Sequence, residues 1–261
     1  MRAMNIAATG MQAQQLNVEV ISHNIANINT TGYKQQRAEF QDLLYENIRR
    51  PGAPSTDANT LVPAGVQLGL GVKTAAVYRI DSQGSLLLTE NSLDLAIEGE
   101  GYFPIDLPDG GVGYTRAGSF QLNAQGQLVT ADGHTVQPGI VVDPNATEIS
   151  INTAGEVAIK LAGQVQVQIV GQIQLANFAN RSGLEAIGDN MFLETEASGA
   201  PTLSAPGANG VGAVRQGFLE ASNVNVVGEL TNMITAQRAY EMNSKVIQTT
   251  DEMYSTVTQM R

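Results

Sequence analysis

Apolar residues recur with a helical period at both ends of the chain and with a strand period between them. Met4, Met11, Val18 and Ile25 stand seven residues apart, and Ala7, Gln14, Ile21 and Ile28 follow along a second seam. Such a repeat predicts a helix over about 3–28 that packs lengthwise against other helices. Asn27-Ile28-Asn29-Thr30-Thr31-Gly32 supplies its stop and turn. The helical pattern returns near Val224, with Ala239, Val246, Met253 and Met260 in one seam and Tyr240, Ile247 and Tyr254 beside it.

Between these ends the pattern changes twice. Ala38–Tyr45 reads as a short second helix, and an extended loop over 47–65, rich in Pro and Gly, breaks all periodicity. Beyond it the period is two: Val66, Leu68, Leu70 and Val72 alternate, as do Leu93, Leu95 and Ile97, and Val165, Val167 and Ile169. Gly110, Gly126, Gly133 and Gly155 fall at tight turns between such runs. An antiparallel sandwich or barrel over about 73–205 is expected.

The fold class expected is therefore multidomain α+β: N- and C-terminal helices paired as an α-helical coiled-coil domain, with an antiparallel β-rich domain inserted. The expected division is 1–33 with 224–261 as helical domain, 34–72 with 206–223 as connector including the loop, and 73–205 as β domain.

Charge sharpens this division. Of the net −11, residues 73–205 carry five basic against fifteen acidic residues, whereas both ends are nearly balanced. An acidic middle repels polyanions and no basic stripe exists, so nucleic-acid binding is not expected. From Met1 to Tyr33 the only charges are Arg2 and Glu19; the polar positions are Asn, Gln and Thr. Amides are buried at far lower cost than charges, so these helices suit dense packing on several sides. Their apolar stripes contain many Ala and Met, so an isolated pair is at best marginal and neighbouring subunits are expected to complete it.

Composition bounds the chemistry. The 261 residues, 43% of them apolar, suffice for one large or two modest cores. Without cysteine, neither disulfides nor thiolate metal sites can form. No run approaches the roughly 18 apolar residues of a membrane span, and MRAMNIAATGMQAQQLN lacks a signal peptide's apolar core and cleavage site. His23 and His134 stand in no HExxH arrangement, and Gly69-Leu70-Gly71 and Gly99-Glu100-Gly101 lack the rest of a nucleotide-binding fingerprint. Glu98 and Glu100 are the one pair imaginable as acid and base, the basis of a remote alternative as a periplasmic carbohydrate-active enzyme; two residues apart on a strand, they read better as a solvated edge. No active site, metal or cofactor is expected.

Three separated segments carry a resemblance. Ser22-His23-Asn24-Ile25-Ala26-Asn27 through Thr31-Gly32-Tyr33-Lys34, Leu93 to Phe103 with Tyr114-Thr115-Arg116-Ala117-Gly118-Ser119-Phe120, and Glu220-Ala221-Ser222-Asn223 with Met233 to Glu241 are similar, in this order, to signatures of the bacterial flagellar rod and hook family. The loop resembles the insertion that separates distal-rod members from hook members. The resemblance implies a structural subunit of the distal rod, polymerised into a stiff tubular shaft that transmits torque and carries the export channel; a proximal rod or hook-like subunit is the alternative.

It also implies a homo-oligomeric helical tube in contact with proximal rod proteins, hook protein, P ring and L ring proteins and the flagellar export apparatus. Its place would be the basal body, from the periplasm to the outer membrane, reached without a cleaved signal peptide and without membrane insertion. The residues expected to pack between subunits are Met4, Met11, Val18, Ile21, Ile25 and Ile28 at one end, and Met233, Tyr240, Val246, Ile247, Met253 and Met260 at the other. Arg50, Pro51, Gly52, Ala53, Pro54, Pro63 and Gly65 are expected to form the rod-specific loop that braces neighbours.

Overall fold

A computed structural model describes residues 2–49, 64–163 and 166–259. Arg50, Pro51, Gly52, Ala53, Pro54, Pro63, Val165 and Met260 lie outside them. Two helices, α1 over Arg2–Ala26 and α2 over Val226–Gln259, bracket strands gathered into several small, largely antiparallel sheets. The chain is thus α+β. It forms two compact units: Met1–Ile25, Gln36–Tyr78 and Asn225–Arg261 make the first, Ala26–Gln35 and Arg79–Val224 the second.

In the first unit, Asn225 caps α2: its side-chain oxygen accepts from the Gly228 amide at 3.1 Å and its carbonyl from Glu229 at 2.9 Å. The helix expected over Ala38–Tyr45 is instead extended, as strand Gln36–Asp42 and the start of Tyr45–Arg49. Gln36, Ala38 and Phe40 are half-buried while Arg37, Glu39 and Gln41 are exposed. That is a period of two, and pairing of Gln36–Asp42 with Val72–Arg79 overrides local helix preference. Tyr45–Arg49 and Val66–Gly69 form an antiparallel ribbon, with Gly65 at its described edge and Leu44, Ile48, Val66 and Leu68 exposed.

The second unit is built around Leu95, Ile97, Phe103, Ile105, Phe120, Ile173 and Leu175. Phe103 and Phe120 meet edge to face at 5.1 Å. The expected single sandwich or barrel is divided into small sheets, because turns keep the strands at two to six residues in most of this unit. One such turn requires glycine: Gly126 has φ +78°, and a Cβ there would stand 2.2 Å from the Val142 carbonyl oxygen. Leu95–Glu98 does not alternate, since Leu95, Ala96 and Ile97 are all buried. Val167 and Ile169 lie exposed on the outer strand of the sheet formed by Ala146–Ile151, Glu156–Leu161 and Val167–Gln172.

Candidate assembly interface

The first unit brings α1 and α2 together at two defined points. The Asn24 amide nitrogen donates to Glu229 Oε2 at 3.1 Å, and a Cβ on Gly10 would lie 2.8 Å from Asn243 Nδ2. Both pairs of residue numbers sum to 253, so the helices run antiparallel with one register over fourteen residues. Asn24 also exchanges two 2.8 Å hydrogen bonds with the Gln36 backbone, fastening the end of α1 to the adjoining strand.

The seam on α2 is Glu229, Ala236, Asn243 and Thr250, three of them buried and Asn243 half-buried. It keeps the expected spacing of seven but holds small and polar residues, not the large apolar ones. On α1 the buried residues are Ala7, Ala13, Val20, Ile21 and Asn24. Met4, Met11, Val18, Ile25 and Ile28 are half-buried, as are Met233 and Ile247. Tyr240, Val246 (44%) and Met253 (62%) are exposed, with Leu230, Ile234, Met242 and Val257. Close approach is marked by Gly10 against Asn243, and with small and polar residues in the seam the larger apolar side chains of α2 turn outward.

In the second unit, the three quoted signatures each contribute one charge to a buried network that sequence reasoning missed. Glu220, 1% exposed, accepts from Lys34 Nζ at 2.6 Å and from Arg116 Nε at 2.5 Å. Its Oε1 also takes the Gly84 amide at 3.0 Å, Lys34 donates to the Ser82 carbonyl, and Arg116 donates to the carbonyls of Gly99, Gly101 and Ile97. Gly32, at φ +69°, fits beneath Arg116, where a Cβ would meet the Arg116 carbonyl carbon at 2.7 Å. Burial pushes the Glu220 carboxyl up, but the adjacent Arg116 and Lys34 outweigh it and hold the group below its ordinary 4.5. Burial lowers Lys34 below 10.5 despite Glu220. Each signature holds one of the three charges: Lys34 ends the first, Arg116 stands in 114–120 of the second, and Glu220 opens the third.

Beside the network lies a cavity of about 200 Å³ lined in part by Lys34, Asp81, Tyr102 and Arg116, in which Asp81 Oδ1 is buried without a hydrogen-bond partner. Glu98 and Glu100 are each engaged by an arginine, Arg215 at 2.5 Å and Arg181 at 2.7 Å. Among the described residues no cluster of His, Asp and Glu is placed to hold a metal ion, and no helix is long and apolar enough to cross a membrane.

Comparison with known proteins follows the same three segments. Residues 4–34 match the model of flagella basal body rod proteins, 96–159 that of the D1 domain of flagellar hook proteins FlgE/F/G, and 215–260 that of the C-terminal region of flagellar basal body rod FlgEFG proteins. The chain is 62% identical to the flagellar basal-body rod protein FlgG of Caulobacter vibrioides over the whole of both chains. It is 52% identical to that of Agrobacterium fabrum across 98% of each chain, and 39% identical to that of Bacillus subtilis across 97% of this chain and 96% of the relative. Matched from end to end by rod proteins, the chain belongs to the flagellar rod and hook family.

Proposed function

We propose that the chain is a structural subunit of the flagellar basal-body rod, in its distal section, with no catalytic role. The observation that carries this reading is similarity to rod proteins over the full length, 62% identical in one case. Apolar side chains displayed outward on both helices agree with it, because surfaces of this kind mark contacts with other chains.

On this reading α1 and α2 pair as a coiled-coil arm, and many copies stack their arms into a tube around the export channel. Met4, Met11, Val18, Ile21, Ile25, Ile28, Met233, Tyr240, Val246, Ile247, Met253 and Met260 pack within and between arms. Residues 73–205 form an outer β domain facing the P and L rings, with 34–72 and 206–223 as connector. The loop from Arg50 to Gly65 braces neighbours and stiffens the shaft. Proximal rod proteins lie below and hook protein above, and the chain arrives through the flagellar export apparatus with its N-terminus uncleaved.

The test is to express the tagged chain in flagellated cells lacking their own copy and to label isolated hook-basal bodies. Label confined to the rod inside the rings supports the proposal. Label on the hook or on the proximal rod, or none, overturns it.

A further inference from the structure

The paired helices carry an outward groove of about 360 Å³, walled by Gln15, Val18 and Glu19 of α1 and Gln237, Tyr240 and Glu241 of α2. Val18 and Tyr240 give it apolar surface, and Glu19 and Glu241 put two exposed carboxylates on it. Gln15 donates to Glu19 at 3.1 Å, and among the described residues neither carboxylate meets a cation. Residue pairs summing to 253 place Glu19 level with Ile234. Glu241 stands seven residues farther along α2, about 10 Å at the helical rise.

The face of α2 turned away from the buried seam carries the complement. Arg238 follows Glu229 by nine residues, about half a turn round the helix from the buried seam, and Lys245 follows Arg238 by seven. The two cations are therefore also about 10 Å apart along the axis. Both are exposed, neither makes an ion pair among the described residues, and exposed Ile234 and Met242 flank them. Glu241 lies one turn before Lys245 on the same helix and does not pair with it.

We infer that the groove of one copy receives the Arg238–Lys245 ridge of a second copy, Arg238 at Glu19 and Lys245 at Glu241, with Met242 against the Val18 and Tyr240 surface. The inference rests on the rod reading above and names the contact that reading leaves open. In this arrangement the two α2 helices run parallel, displaced by four residues or about 6 Å. Glu241 borders both surfaces, but the groove opens between α1 and α2 and the ridge faces away from α1, so each copy keeps one of each for the next. Contacts of this kind do not close as dimers; they propagate, as open helical filaments where the rotation between copies does not close a ring.

The experiment uses the full-length chain in flagellated cells lacking their own copy, and measures the chain recovered in purified basal bodies relative to the chain exported. Arg238→Glu with Lys245→Glu sets like charges facing across the contact, and recovery should fall at least about tenfold. Glu19→Lys with Glu241→Lys should do the same. All four changes together should restore recovery to within about twofold, since the pairs are re-formed with signs exchanged. Co-expressing the two double variants, each deficient alone, should give mixed rods, which misfolded chains could not do. Either double reversal recovered like the unaltered chain, or failure of both the fourfold variant and the mixture to assemble, overturns the inference. Absence of the unaltered chain from basal bodies overturns the rod reading instead.

Discussion

Gly10 of α1 and Asn243 of α2 stand so close that a single added carbon on Gly10 would reach 2.8 Å from the Asn243 amide nitrogen. The obstacle is the end of a flexible side chain, so a methyl group can be accommodated by turning Asn243, and a larger group cannot. Gly10→Ala gains about 1 kcal/mol of helix preference to offset the shift, and near-neutral stability is expected. Gly10→Val is expected to destabilise the helical pair by about 1–3 kcal/mol through overpacking. Urea unfolding of the monomer followed by helix signal measures both, and Asn243→Ala should recover much of the Gly10→Val loss. Equal effects of Ala and Val would show that the approach is not tight.

Removing the anion from the second unit's buried network leaves two buried cations without their ion-pair partner. Glu220→Gln is expected to cost about 3–5 kcal/mol, read by denaturant unfolding. Because Glu220 is held below 4.5 in the folded chain, the unfolded chain binds its proton more readily. Its contribution is complete above that range and drains away as pH falls through the lowered value. The Glu220→Gln variant should therefore lose less stability between neutral and acid pH than the parent, and parallel acid curves would contradict the assignment.

Alkaline pH works through different groups. Tyr102 and Tyr114 are both pushed up to about 12, chiefly by burial, helped by Asp81 for Tyr102 and by Glu194 for Tyr114. A raised phenol stays protonated in the folded chain while the unfolded chain ionises near 10, so stability falls between about pH 10 and 12. Lys34 acts the other way below 10.5: its buried ammonium holds the proton less well than the unfolded chain, and its cost is relieved as pH climbs. A shallow rise followed by a steep loss is expected in pH-resolved unfolding. Tyr102→Phe with Tyr114→Phe should remove the steep part.

Exposed and buried positions on α2 should separate folding from assembly. Met253→Asp, at a site 62% exposed, is expected to change monomer stability by less than about 0.5 kcal/mol while preventing recovery in rods. Ala236→Leu, at a site 2% exposed, should destabilise the helical pair by about 1–3 kcal/mol through overpacking. Thermal unfolding of monomers paired with basal-body purification distinguishes them, and Met253→Asp rods like those of the parent would remove the interface.

The elements were largely legible because both periods are strong: α1 and α2 stand where the sevenfold repeat placed them, and glycine turns divide the strands. The phase of the repeat on α2 was not legible. A reader of apolar residues chooses Val246 and Met253, yet the buried seam is Glu229, Ala236, Asn243 and Thr250, because Glu229 is held there by its hydrogen bond from Asn24 and close approach of Gly10 leaves no room for a large apolar side chain. Ala38–Tyr45 misled for a related reason: its extended form is set by the partner strand Val72–Arg79, far along the chain. The Lys34–Glu220–Arg116 network was visible only as three charges within separate signatures, since nothing local announces that residues 186 apart will share a proton donor and acceptor.

That network also dictates the order in which the polypeptide can mature. Leu95–Glu98 awaits Ala213–Gln216, Leu86–Leu88 awaits Phe218–Glu220, and the two cations await Glu220 itself. A nascent chain cannot seal its β unit until this late stretch has arrived, and long-range closure of this sort is slow. Premature termination before Glu220 therefore discards the keystone along with the tail, leaving a product fit for proteolysis and not a shortened building block.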